Sequence, residues 1–183
     1  AGWSEIDLPV LESVSLKNIR VTDAGNQILY QLNRFALDDI QDSGPLILAG
    51  TGFVNGTEFQ IEGRLGAVID IFKHDRPFPL EIDLNYADLK LSVSGTVADY
   101  EEIEGLNLKI AAQKLDLTQL FKILQVKLPS PGHMNFSAML SGDLEALRVS
   151  DLKLTISKDQ AVQISVQGAI PNLTNGEGTD ILI

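Results

Sequence analysis

The amino-acid sequence predicts a mostly β fold: a long, curved antiparallel sheet of repeated hairpins, with one short helix at about residues 117–125. Three observations predict it. Apolar residues recur at period two through most of the chain, as they do in strands with one buried face. Turn-forming Asn, Asp and Gly residues divide the alternating runs. Glycine returns late in the apolar phase of several of those runs, where it marks a bend or a close backbone approach.

The elements follow in order. A strand near Ser13–Thr22 and one near Ile28–Leu37 are divided by Asp23-Ala24-Gly25-Asn26. Asn55-Gly56 is a strong two-residue hairpin signal between strands at Leu46–Val54 and Thr57–Leu65. In the second of these, Phe59, Ile61 and Leu65 alternate with Glu58, Gln60, Glu62 and Arg64, and Gly63 stands in the apolar phase. Lys73 to Pro77 reads as another hairpin turn. Beyond it Phe78, Leu80, Ile82 and Leu84 alternate with Pro79, Glu81, Asp83 and Asn85. The stretch Asn85-Tyr86-Ala87-Asp88 turns the chain into Leu89, Leu91, Val93 and Val97. Later runs place Met134, Phe136, Ala138 and Leu140 on one side, then Val162, Ile164, Val166 and Ile170. The apolar phase slips between Leu32 and Phe35 and between Val149 and Leu152, which predicts β-bulges.

One segment departs from period two. Leu117, Leu120, Phe121 and Leu124 share a face at helical spacing, with Asp116 placed as an N-cap and Pro129 and Pro131 closing the region.

Displaced by 73 residues, the chain matches itself without gaps. Leu89–Ile110 aligns on Val162–Ile183, with identities at Ser92/Ser165, Val93/Val166, Gly95/Gly168, Glu104/Glu177, Gly105/Gly178 and Ile110/Ile183. The whole chain therefore reads as one β-rich module, 1–183, with sub-repeats at about 57–112 and 132–183. Residues Ala1 to Glu5 read as an arbitrary start and Thr179 to Ile183 stop within an apparent strand, so a fragment of a larger protein is expected.

Composition narrows the function. With 25 acidic and 14 basic residues the formal charge is −11, a field that repels nucleic-acid phosphates and anionic headgroups. It does not oppose the burial of an acyl chain, which is an apolar transaction. Without cysteine there is no disulfide, thiolate nucleophile or Cys-ligated metal. His74 and His133 lie far apart in turn-like contexts, and no metal-binding motif accompanies them. The acidic stretches Asp38-Asp39 with Asp42, and Asp99 to Glu102 with Glu104, have the wrong spacing for calcium and read as solvated turns. Sequons at Asn55, Asn135 and Asn172 are expected by chance. No nucleophile sits beside a plausible base, so neither an enzyme nor a bound cofactor or metal is expected.

Five stretches resemble the AsmA-like family, related more distantly to TamB and the large β-groove lipid conduits. They are ESVSLKNIRVTDAGNQILYQLNRFAL (Glu12–Leu37), PFPLEIDLNYADLKLSVSGTV (Pro77–Val97), EGLNLKIAAQKLDLTQL (Glu104–Leu120), LPSPGHMNFSAMLSGDL (Leu128–Leu144) and DLKLTI (Asp151–Ile156). The order of these weak motifs carries the resemblance, and none is catalytic. It implies a non-enzymatic envelope protein held in the periplasm by a membrane anchor, usually of the inner membrane, and involved in outer-membrane assembly and lipid transport. No anchor lies within these residues.

The resemblance also implies that the sheet is open and taco-like, with an apolar groove that shelters phospholipid acyl chains. Its lining would comprise Phe59, Ile61, Leu80, Ile82, Leu84 and Leu91. Val93, Leu108, Phe136, Leu140, Ile164 and Val166 would continue it. Partners would be neighbouring β repeats of the same parent chain and envelope assembly proteins, and no nucleic acid. Two other readings remain open at this point: a purely structural or protein-interaction domain, such as an assembly factor or adhesin module, and a complete soluble lipid carrier of barrel type.

Overall fold

The computed structural model describes residues 12–23, 28–40, 44–73, 76–99, 101–116, 132–158, 161–172 and 178–182. Those residues form one antiparallel sheet in which each strand pairs with its neighbours in sequence, from first to last. The strands are β1 (Ser13–Asp23), β2 (Ile28–Asp38), β3 (Leu46–Val54), β4 (Thr57–Leu65), β5 (Phe78–Tyr86), β6 (Leu89–Asp99), β7 (Glu104–Asp116), β8 (His133–Gly142), β9 (Arg148–Lys158), β10 (Ala161–Ile170) and β11 (Asp180–Leu182). The sheet is not closed, and β1 and β11 are its edges. A barrel-type carrier is thereby set aside.

Local chemistry explains the hairpins. Asn55 and Gly56 take φ values of 51° and 82°, the left-handed pair that a two-residue turn between twisted strands requires. The Asn55 side-chain oxygen also accepts the Leu29 N–H at 2.8 Å, tying this turn to β2.

Bulges keep the apolar residues in phase. β2 carries an extra residue between Leu32 and Arg34 relative to β3, and β9 carries one between Val149 and Leu152 relative to both of its neighbours. These are the two slips read from the sequence. Two more lie in β7, between Ala112 and Leu115, and in β10, between Val162 and Ile164. At Asn18, Lys114 and Asp151 the backbone enters the left-handed region, with φ of 55°, 54° and 50°. A slip left uncorrected would turn half of a strand's apolar side chains to the other face.

The helix position differs from expectation. The one α-helix among the described residues is α1 (Val68–Lys73), in the connection between β4 and β5, where the sequence suggested only a hairpin turn near Lys73 to Pro77. Val68, Ile71 and Phe72 do stand at helical spacing, but a run of six residues is too short for that spacing to mark a helix. α1 is fixed instead by Asp70, whose buried carboxylate accepts the Ala67 N–H at 3.1 Å and the Arg76 Nε–H at 2.6 Å. The helix expected at about 117–125 lies outside the described residues. A single 3-10 turn, Leu144–Ala146, stands in the β8–β9 connection at the same end of the sheet as α1.

No large side chain among the described residues is completely buried. Buried apolar residues Leu46, Leu48, Ala67, Val97, Leu106 and Val149 lie toward the α1 end, whereas Ala36, Ala112 and Ala138 are buried farther along the strands. Strands pack laterally on their sequence neighbours, and no other packing of elements is extensive among the described residues. The described residues thus form one open sheet.

Candidate functional site: the apolar face of the sheet

Residues directly opposite one another in an antiparallel ladder share a face, so the register assigns every side chain to one side of the layer. One row of partners reads Leu16, Phe35, Gly50, Ile61, Leu84, Leu91, Ala112, Phe136, Leu154 and Val166, one residue from each of β1 to β10. At the usual strand spacing it extends roughly 43 Å. A second row runs Val14, Leu37, Leu48, Gly63, Ile82, Val93, Ile110 and Ala138. A third runs Leu46, Leu65, Leu80, Gly95, Leu108, Leu140, Val149 and Ile170. None of these rows contains a charged or hydrogen-bonding side chain.

All twelve residues singled out from the sequence lie on this face. Ile61, Leu84, Leu91, Phe136 and Val166 belong to the first row, Ile82 and Val93 to the second, and Leu80, Leu108 and Leu140 to the third. Phe59 stands opposite Gly52 and Tyr86 in the row beyond, and Ile164 stands opposite Ile156. Phe59, Ile61, Leu80, Ile82, Leu84, Leu91, Val93, Leu108, Phe136, Leu140 and Val166 are half-buried, whereas Ile164, near the β11 edge, is exposed.

The face also includes residues that period two alone did not find. Leu16 and Ile19 fall on opposite phases of a regular strand, and only the left-handed turn of the backbone at Asn18 brings them to one side. Small residues, among them Gly50, Gly63, Gly95, Ala112 and Ala138, lower the relief along the rows. Gly95 and its repeat equivalent Gly168 share a further feature. A Cβ on either would meet the carbonyl oxygen of the following strand, that of Asn107 or Asp180. Gly95 pairs with Leu108 and Gly168 with Ile181, so the same register recurs after 73 residues.

The opposite face carries the charge. On β4 and β5 it presents Glu58, Glu62, Arg64, Glu81 and Asp83, all exposed. At the α1 end, Asp99 accepts the N–H groups of Glu101 and Glu102 at 2.8 and 3.1 Å, and Asp143 accepts that of Gly105 at 2.8 Å. These carboxylates organise turns. A shallow cavity of about 250 Å³ beside α1 is lined by Pro45, Leu65, Asp70, Arg76 and Pro79 among others, and its buried carboxylate is committed to Ala67 and Arg76.

Comparison of the chain with family models, with curated proteins and with solved structures finds no match.

Proposed function

We propose that this chain is a module of a non-enzymatic bacterial envelope protein of the AsmA-like kind, holding lipid acyl chains along its apolar face during outer-membrane assembly or lipid transport. One observation carries the reading: among the described residues the apolar band crosses ten strands of one continuous sheet without a charge. Apolar surface on that scale is either met by a ligand or partner or drives aggregation. Covering it with hydrocarbon yields about 25 cal/mol per Å². In this reading the parent protein stands in the periplasm on a membrane anchor, which acyl-chain capture itself does not need because the band is intrinsic to the sheet.

The test is mass spectrometry of the purified chain for co-purifying phospholipid. The expected result is bound lipid in the unmodified chain, with Leu84→Asn and Val93→Asn retaining β circular dichroism while losing it. Absence of lipid from the unmodified chain, together with failure to take up an added fluorescent fatty acid, rejects the reading.

A second reading, a structural or protein-interaction domain without a lipid ligand, draws on the exposure of Val14, Leu16, Ile19 and Val21 along the edge strand. It predicts that Ile82→Asp, Val93→Asp and Leu140→Asp simply unfold the protein.

A further inference from the structure

The outer edge of β1 combines three properties that together specify a partner. It is long, at eleven residues, and among the described residues no strand pairs with its outer side. Its backbone therefore presents a row of N–H and C=O groups to a further strand. Its apolar-face side chains Val14, Leu16, Ile19 and Val21 are 38–54% exposed; on β2 the partners of the first three, Leu37, Phe35 and Leu32, are half-buried, and Tyr30 opposite Val21 is exposed. The apolar band thus reaches the edge without tapering into polar residues.

Charge supplies the specificity. On the opposite face of the same edge, Lys17 stands directly across from Arg34, with Arg20 on the same strand, and all three are exposed. Like charges placed opposite one another in a sheet are unfavourable. None of the three forms an ion pair with a carboxylate among the described residues. In a chain of net charge −11 this is a local basic strip, and it adjoins a backbone edge that no described strand pairs.

We infer that β1 accepts an added strand from a partner polypeptide whose sequence alternates apolar and acidic residues. The apolar residues of such a strand would continue the band past Leu16 and Ile19, and its carboxylates would face Lys17 and Arg20. Strand β5 of this chain, FPLEIDLNY (Phe78–Tyr86), is of that type: its Leu80, Ile82 and Leu84 lie on the apolar face, and its Glu81 and Asp83 on the other. Charged edges commonly guard against unwanted pairing. Here the cations act against a second β1, which would set Lys17 and Arg20 against their own copies, and in favour of an acidic strand. The inference does not depend on lipid capture by the face.

The experiment adds two synthetic peptides to the full chain: FPLEIDLNY, and the charge-inverted FPLKIKLNY. Binding is read by anisotropy of the labelled peptides, and its location by hydrogen exchange. The acidic peptide is expected to bind about tenfold more tightly than the basic one, from two cross-strand charge contacts that change sign, and to protect amides of β1. In the doubly substituted Lys17→Glu, Arg20→Glu chain, both sites being exposed, the preference is expected to reverse while circular dichroism stays unchanged. Equal affinity for the two peptides, protection at β11 instead of β1, pairing of β1 with a second copy in preference to the peptide, or no binding at all would each overturn the inference.

Discussion

Replacing Gly95 with alanine tests whether close approach of β6 and β7 is built into the sheet. Gly95 has φ of +145°, a conformation that side-chain-bearing residues rarely adopt, and its Cβ would overlap the Asn107 carbonyl oxygen and lie 3.0 Å from the Leu108 Cα. The backbone conformation alone costs about 1–3 kcal/mol for a residue with a Cβ. Relieving the overlap requires β7 to move away, which weakens one or two ladder hydrogen bonds at about 1 kcal/mol each. The terms add to about 2–5 kcal/mol, with a central value of about 3–4 kcal/mol. Gly56→Ala is the internal control. Gly56 also has positive φ, +82°, but no atom lies within 4 Å of its Cβ position. Its cost is the left-handed backbone, about 1–2 kcal/mol, less the gain from a stiffer unfolded chain, for a net of about 1 kcal/mol. Urea unfolding followed by circular dichroism should therefore separate the two variants by about 2–3 kcal/mol. Thermal midpoints should differ by about 5–10 °C for a chain of this length. Two variants of equal stability would refute the steric reasoning and leave only the backbone term.

Further outcomes follow from other parts of the sheet. Gly168→Ala meets the same obstacle, the Asp180 carbonyl, but β11 is a three-residue edge strand that can yield, so the expected loss is about 1 kcal/mol in the same urea assay. Asp70→Ala removes both the acceptor for Ala67 and the partner of Arg76, and should cost about 2 kcal/mol. Arg76→Ala should cost about 1 kcal/mol, falling as salt is raised, because Arg76 is mostly exposed. Asn55→Ala loses both the tolerance for φ of 51° and the bond to Leu29, an expected destabilisation of about 1–2 kcal/mol with faster hydrogen exchange at Leu29.

Much of the fold was legible because its rules are local. Alternation in TEFQIEGRL and FPLEIDLNY fixes which side chains share a face, and Asn55-Gly56 fixes where the chain reverses. Two of the bulges could be read from the slips at Leu32/Phe35 and Val149/Leu152, since the apolar residues themselves change phase there. α1 was not legible, because a six-residue helix has too few positions to show a period and depends on the Asp70–Arg76 contact six residues apart. The basic strip at the edge was hidden for a similar reason. Lys17 and Arg34 are seventeen positions apart, and only the β1–β2 register sets them opposite one another.

The sequence by itself determined the period, the turns, the glycines and hence the mostly antiparallel β character of the chain, since each depends on neighbouring residues alone. Tertiary structure decided that the strands pair in simple succession, that the layer stays open, and that the apolar phases merge into one band across ten strands. Those outcomes depend on hydrogen-bond register between strands, and a register shift of one residue would have turned any of these side chains to the charged face.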